Sequence, residues 1–283
     1  MKVQLKIPGS TANLGPGFDT LSLAIDIYLY VTCEKASETK IINHSRMFIT
    51  DDPDQNLIYQ VISQVSQNFN RDIPTLLIEI DNEIPLERGL GSSSAAIIAG
   101  ILIADFYGEL KMSKESILET AGLFESHLDN VAASLYGSLN VILGKQSVRM
   151  TPVDSIKLSV FIPQNYYTNT KTSRHKLPST LELDAVVKTL QNSAGVILYL
   201  TSDLASTSFR DYLHQPHRMI PGTDVLFDHN CFISGSGPCI MYVYKCESEN
   251  QKDFIYSVLN KTGIEWISRS LSIDRFGAQI NFS

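Results

Sequence analysis

Pro85-Leu86-Glu87-Arg88-Gly89-Leu90-Gly91-Ser92-Ser93-Ser94-Ala95-Ala96 is the stretch whose reading decides the fold. Two glycines and three consecutive serines lead into Ile97-Ile98-Ala99-Gly100-Ile101-Leu102-Ile103-Ala104, an apolar run with no helix breaker before Gly100. The pattern predicts a glycine-rich turn feeding the N-terminus of a buried helix. The first turn of a helix carries unpaired backbone N–H groups and the positive end of the macrodipole. Because Gly89 and Gly91 lack a Cβ, an anion can approach that backbone closely. The serine hydroxyls can cap the helix or touch a phosphate or a metal. The stretch therefore reads as a phosphate cradle, and the plainer alternative is a turn that only redirects the chain into a core helix. It is neither common phosphate loop: no Lys follows the glycines as in G-x-x-x-x-G-K-[ST], and the spacing is not G-x-G-x-x-G.

Upstream, Val3, Leu5 and Ile7 alternate with polar residues, which predicts a first strand and not a signal peptide. The loop Pro8–Asp19 is dense in turn residues yet carries Asn13, Phe18 and Asp19. Leu21–Val31 reads as a strand. Asp52 or Asp54 opens a helix whose Leu57, Ile58, Val61, Ile62, Val65 and Phe69 keep a 3.6-residue stripe, and Thr75–Ile80 is a strand that delivers the chain to the cradle. Downstream, Ser113 caps a second helix. Phe124–Asn130 packs Glu125, His127, Asp129 and Asn130 together, either as a solvated helix end or as groups for a metal and a substrate. Val131–Tyr136 reads as helical, followed by strands at Leu139–Leu143 and Val148–Met150.

A domain boundary is expected near Thr151-Pro152, dividing the chain into residues 1–152 and 153–283. Beyond it come a strand at Lys157–Ile162 and a polar loop to Pro178. Val187, Leu190, Ala194, Ile197 and Thr201 share a helical face, and Asp203–His214 is expected to continue helical. Cys231–Tyr244 reads as two strands meeting at Ser234-Gly235-Ser236-Gly237-Pro238. A helix at Gln251–Asn260 and strands at Glu265–Asp274 and Ala278–Phe282 close the chain. Strands and helices interleave without a regular βαβ rhythm, so the fold class is α+β in two halves.

The 283 residues are 43% hydrophobic and 19% charged, ordinary globular proportions for one large or two medium domains. A net charge of −7 leaves no electrostatic footprint for nucleic acid or an anionic membrane. No apolar run reaches the length of a membrane span, which points to a soluble, cytoplasmic protein. Cys33, Cys231, Cys239 and Cys246 form no C-x-x-C pair, so neither zinc nor a disulfide framework is indicated.

Taken in order, Pro8–Asp19, Pro85–Ala96 and Ser234–Pro238 resemble the three motifs of the GHMP small-molecule kinases (galactokinase, homoserine kinase, mevalonate kinase, phosphomevalonate kinase). The first motif, Ala12-Asn13-Leu14-Gly15-Pro16-Gly17-Phe18-Asp19, resembles the homoserine kinases closely. So do Asn56-Leu57-Ile58-Tyr59, His127-x-Asp129-Asn130-Val131 and His214-Gln215-Pro216-His217-Arg218-Met219-Ile220-Pro221-Gly222. The resemblance spans nearly the whole chain. It implies a GHMP kinase fold with an N-terminal half like ribosomal protein S5 domain 2 and a ferredoxin-like C-terminal half. It also implies transfer of the ATP γ-phosphoryl group to the side-chain hydroxyl of L-homoserine, with Mg²⁺, for threonine synthesis.

On the same resemblance Pro85–Ala95 wrap the ATP phosphates, with Asn56 near the nucleotide, while Ser93 and Glu125 hold Mg²⁺. Asn13, Asp19, His127, Asp129 and Asn130 face the amino acid. Arg174 and Arg218 match the arginines for its carboxylate, with Thr170 and Gly235 nearby. Asn130 stands where mevalonate-like relatives place an Asp base; Asp19 can orient the hydroxyl or accept its proton late, and the base stays open. Ser94, Ser236 and Cys239 depart from the commoner residues at their positions, and the loop Gln164–Lys176 is unusual. The alternatives are a GHMP kinase for another small alcohol and a non-catalytic ligand-binding relative. A homodimer is a further expectation.

Overall fold

The computed structural model describes residues 2–47, 49–167, 170–246 and 249–282, with the side chains of residues 170–172 left aside. The first half is built on β1 (Lys2–Ala12) and β2 (Leu21–Lys35), long antiparallel strands registered from Lys2↔Glu34 to Ala12↔Ser22. Around them lie β3 (Lys40–Asn43), α1 (Leu57–Phe69), β4 (Leu76–Asn82), α2 (Ser92–Gly108), α3 (Lys114–Ala121), α4 (Asp129–Tyr136), β5 (Leu139–Leu143) and β6 (Gln146–Met150). In the second half follow β7 (Lys157–Pro163), α5 (Thr170–His175), α6 (Leu183–Thr201), α7 (Gln215–Arg218), β8 (Cys231–Ile233), β9 (Ile240–Tyr244), α8 (Glu249–Asn260), β10 (Trp266–Leu271) and β11 (Gln279–Phe282).

The first sheet runs β11-β1-β2-β4-β3, and β5 and β6 extend it from the start of β2. The second runs β10-β7-β9-β8, with every neighbouring pair antiparallel. Two βαβ units, β7-α6-β8 and β9-α8-β10, are interleaved in that sheet, which is the ferredoxin-like arrangement. The fold is thus α+β, built on two sheets. One strand returns to the first sheet from the end of the chain: β11 pairs with β1 from Val3↔Phe282 to Lys6↔Gln279, so that sheet takes in residues beyond the span 1–152.

Helix α2 sits at the centre of the first half. Ile97, Ile98, Ile101 and Ile103 are buried on several sides, as expected for a helix apolar all round. Gly100 does not break it, because the helix runs on to Gly108. Gly100 is instead where α1 comes close: a Cβ there would lie 2.6 Å from Val61 Cβ and 2.8 Å from the Ile58 carbonyl oxygen.

The structure corrects five details of the sequence reading. Asp203–His214 is not helical. Its neighbours take the carbonyls that a helix would use internally: Lys245 Nζ donates to the Ser202 and Leu204 oxygens, and Asn192 Nδ2 to that of Arg210. The polar loop before Pro178 contains α5, and the short parallel edge strand β3 carries too little pattern to be seen. Asp52 caps only a 3-10 turn at Pro53–Gln55, and Asn56 caps α1. On α6 the buried residues are Thr189, Val196, Tyr199 and Leu200, while Leu190 of the periodic face is 65% exposed. The face that binds the core is set by Tyr199 packing edge-on to Phe209.

Gly100→Ala tests the helix contact. Alanine is worth about 1 kcal/mol more than glycine in a helix interior, yet here the new methyl must push backbone and a β-branched side chain apart. A net loss of about 1–3 kcal/mol in urea unfolding is expected. A gain in stability would show that α1 and α2 are not packed this closely.

Candidate functional site

The elements converge on one cleft of about 1460 Å³ between the halves. It is larger than the roughly 300–1,000 Å³ of a typical small-molecule site, so it has room for two ligands. Asn13, Asp19, Asn56, the loop 85–94, Glu125, His127, Asp129, Asn130, Arg174, Arg218 and Gly235 all line it. Thr170 lies among the side chains left aside. Ala95 is a correction: it is wholly buried in the core, and its amide donates to the Gly91 oxygen inside the helix.

The cradle opens α2 at Gly91, its N-cap, with no side chain capping the first turn. The serines therefore do not cap: Ser92 Oγ accepts from Asn82 Nδ2 at 3.2 Å, Ser93 faces solvent and Ser94 is buried. The first-turn amides are left facing the cleft, as an anion site requires. Gly89 has φ +73°, and a Cβ on it would lie 2.1 Å from the Ser234 carbonyl. Ser234 Oγ donates to the Gly89 oxygen at 2.6 Å, and Ser10 N to that of Leu90 at 3.0 Å. The turn 234–238 thus braces the cradle from the other half.

Gly235 joins that turn to the first loop. Its carbonyl accepts from Asn13 Nδ2 at 2.9 Å and Arg218 Nη1 at 3.1 Å, and its amide donates to Ala12 at 3.1 Å. Asn13 Oδ1 accepts the amide of Asp19 at 3.0 Å, so both ends of this side chain hold loop to loop. Asn56 is engaged in the same manner. It accepts from Ile58 N at 3.1 Å and donates to the Thr50 oxygen at 3.0 Å, beside an apolar end of the cleft lined by Met47, Ile49, Leu57 and Ile80.

At the other end lies a ring of charge. Arg174 grips Asp19 with both terminal nitrogens, and His127 Nδ1 stands 3.4 Å from Asp19 Oδ2. Phe18 gathers the basic groups: the guanidinium carbons of Arg174 and Arg218 lie 5.0 and 5.1 Å from its ring centroid, and His214 stacks on it at 5.2 Å. Burial, and then the like charge of Arg174, brings Arg218 down to about 10. Burial also lowers His127, against the pull of Asp19, so the imidazole is neutral near pH 7. Arg218 does not cap α7, and its Nε is buried without a partner. Two neighbouring guanidiniums, one with a donor free, fit an anion lying between them.

His214 is buried and donates Nε2–H to the Gly15 carbonyl at 2.7 Å, which leaves Nδ1 as an acceptor 3.5 Å from Arg218 Nη1. Asp211 Oδ2 accepts the amides of His214 and Gln215, fixing the start of α7. Phe18, Asp211 and His214 were not assigned site roles from sequence. An aromatic residue amid Gly and Pro was the signal for Phe18, whereas Asp211 carried none.

An amide and two acids complete the site. Asn130 Oδ1 accepts from Ser10 Oγ at 2.9 Å. Asp129 is buried, accepts the Asn130 amide at 2.7 Å, and is pushed by burial up to about 7. Glu125 is raised by burial, with Arg174 pulling the other way, and makes no ion pair among the described residues. A half-buried carboxylate without a cation partner fits a metal ion. Among the described residues no three acidic, His or Cys side chains cluster as a cage. Such a cation would therefore take most of its oxygens from phosphates and water, as Mg²⁺ does.

Residues 56–138 match the N-terminal domain of the GHMP kinases. The chain is 34% identical to a homoserine kinase of Staphylococcus aureus (strain bovine RF122 / ET3-1), covering 98% of this chain and 97% of that one. A structure described as a putative homoserine kinase from Listeria monocytogenes superposes with a TM-score of 0.74 at 26% identity, over 99% of this chain and 100% of that one. The homoserine kinase structure from Cytophaga hutchinsonii shares the fold, with a TM-score of 0.80 at 23% identity over 99% of this chain and 97% of that one. Among the described residues no helix is long and apolar enough to cross a membrane.

Asp129 has a measurable signature. Its folded pKa of about 7 lies above the unfolded value of 3.8, so the folded state holds the proton between them. Its contribution to stability is complete below about pH 4 and is lost as pH rises through 7. Asp129→Asn keeps the acceptor for the Asn130 amide but cannot ionise. In ligand-free protein its melting temperature should gain on wild type progressively from pH 4.5 to pH 8. Parallel profiles would show that Asp129 ionises without penalty.

Proposed function

Because the chain belongs to the GHMP kinases and, among them, to the homoserine kinases, we propose that it transfers the γ-phosphoryl group of ATP to the side-chain hydroxyl of L-homoserine. The product is O-phospho-L-homoserine, for threonine synthesis. One observation carries this reading on the structural side: an anion cradle and a ring of opposite charges, both of its arginines against Phe18, share a single cleft. The cradle suits a polyphosphate. The ring suits a small zwitterion, with Arg174 and Arg218 for its carboxylate and Asp19 for its ammonium.

In this assignment the apolar end beside Asn56 takes the base, and the first-turn amides of α2 take the phosphates. Asn130 cannot act as a base, since an amide does not take a proton near neutral pH. Held by Ser10, it positions the acceptor hydroxyl together with neutral His127. Phosphoryl transfer through a loose transition state moves the proton late, so placement and charge neutralisation outweigh the strength of any base. Ser93 and Glu125 are the residues that would hold Mg²⁺. That ion, when bound, neutralises phosphate charge and orients the terminal oxygens. Residues 1–152 and 153–283 supply the two walls, with β11 crossing back to the first sheet.

The deciding experiment is ATP turnover against a panel of hydroxylated amino acids, sugars and mevalonate, with and without Mg²⁺. Mg²⁺-dependent turnover of L-homoserine above the others is expected. Turnover of a sugar or mevalonate without homoserine would refute the assignment. Arg218→Met tests the carboxylate clamp. It should cost about 2–5 kcal/mol, which is thirty-fold or more in kcat/KM for homoserine, while nucleotide affinity stays near wild type. Normal homoserine kinetics with a lowered melting temperature would leave Arg218 as a strut for Gly235.

A further inference from the structure

Arg88 lies in the loop that the resemblance wraps around the ATP phosphates, but its side chain has so far been given no task of its own. Its two counterparts are tied: Arg174 to Asp19, and Arg218 to the Gly235 carbonyl. Arg88 is 7% exposed, and among the described residues it makes no hydrogen bond and no ion pair. Its Nη1 is shut off from solvent without a partner. Its one contact of note is with Tyr167, whose ring centroid lies 3.8 Å from the guanidinium carbon. A guanidinium carries five N–H donors in a plane, and stacking on a ring satisfies none of them.

The place of this unsatisfied cation is informative. Arg88 belongs to the cradle and lines the same cleft as the α2 N-terminus. Phosphate loops of the common type bring their own lysine, and none follows these glycines. Next to Arg88, the Gly89 carbonyl takes the hydroxyl of Ser234, and the following residue, Gly235, takes Asn13 and Arg218. Arg88 is therefore anchored at the end of the cradle nearest the charged ring, away from the apolar end at Met47 and Ile49.

We propose that Arg88 is a phosphate-holding residue, its guanidinium donating to the terminal phosphate of a bound nucleoside triphosphate while Tyr167 keeps the plane in register. Helix amides then serve the inner phosphates, and the side chain supplies the full positive charge that the loop otherwise lacks. The inference rests on the kinase reading for the identity of the anion alone.

Calorimetric titration of the whole protein with a non-hydrolysable ATP analogue, ADP and AMP tests it in wild type, Arg88→Met, Arg88→Lys and Tyr167→Leu. Arg88→Met should weaken the triphosphate analogue about 10- to 100-fold, ADP much less and AMP not at all, with KM for homoserine unmoved. Arg88→Lys should recover part of the triphosphate preference, and Tyr167→Leu should lose part of it. Equal weakening of all three nucleotides, or a lowered melting temperature with unchanged affinities, overturns the proposal in favour of a packing role. A raised KM for homoserine with unchanged nucleotide affinity overturns it in favour of the carboxylate. If Arg88→Met does not fold, Arg88→Lys decides by the same comparison. Wild type that prefers the triphosphate but turns over no homoserine would sink the kinase assignment and leave that of Arg88 standing.

Discussion

The carbonyl of Gly235 is the joint on which the site depends. It sits in the turn between β8 and β9, yet its partners come from far away in sequence: Asn13 from the loop after β1 and Arg218 from α7. A carbonyl oxygen has two lone pairs, and both are engaged here. Asn13 passes the restraint on to Asp19 through the Asp19 amide, and Ser234 passes it to the cradle through Gly89. One turn thus sets the distance between the anion cradle, the acidic group and a basic group. Phosphoryl transfer depends on in-line placement more than on acid–base strength, so such a joint bears directly on rate.

The motifs with chemistry were legible in sequence because chemistry constrains residue type at fixed spacing. Residues 85–94 of the cradle, Asn13 and Asp19 of the first loop, and Glu125, His127, Asp129 and Asn130 line one cleft, whereas Ala95 faces the core. Long periodic elements such as α1, and the strands β1 and β2, were legible because burial repeats with the period of the element. What was not legible depends on contacts made across the fold. Residues 203–214 have helical composition, but Lys245 and Asn192 claim backbone carbonyls there. Asp211 acts by receiving two amides of a four-residue helix, a role that no local pattern announces. Asn13 and Asn56 line the cleft, and their amides also hold the protein to itself there, contacts that no local pattern announces.

Under the proposed function, the charges would form a site for a zwitterion before the zwitterion arrives. Arg174 and Asp19 satisfy each other on the face of Phe18, the same two kinds of charge that an amino acid carries on one carbon. A substrate that enters must exchange this pair for two new ones, so its net gain is smaller than the raw count of ionic contacts suggests. The benefit lies in preorganisation: neither group has to be gathered from solvent, and neither stands unpaired while the site is empty. Arg218 differs, because burial and the nearby Arg174 both oppose its charge and its Nε has no partner. An anion that settles between the arginines relieves that repulsion as well as forming its own bonds. On the proposed assignment, a carboxylate would be favoured by what Arg218 lacks, and the ammonium beside it by what Arg174 would release at Asp19.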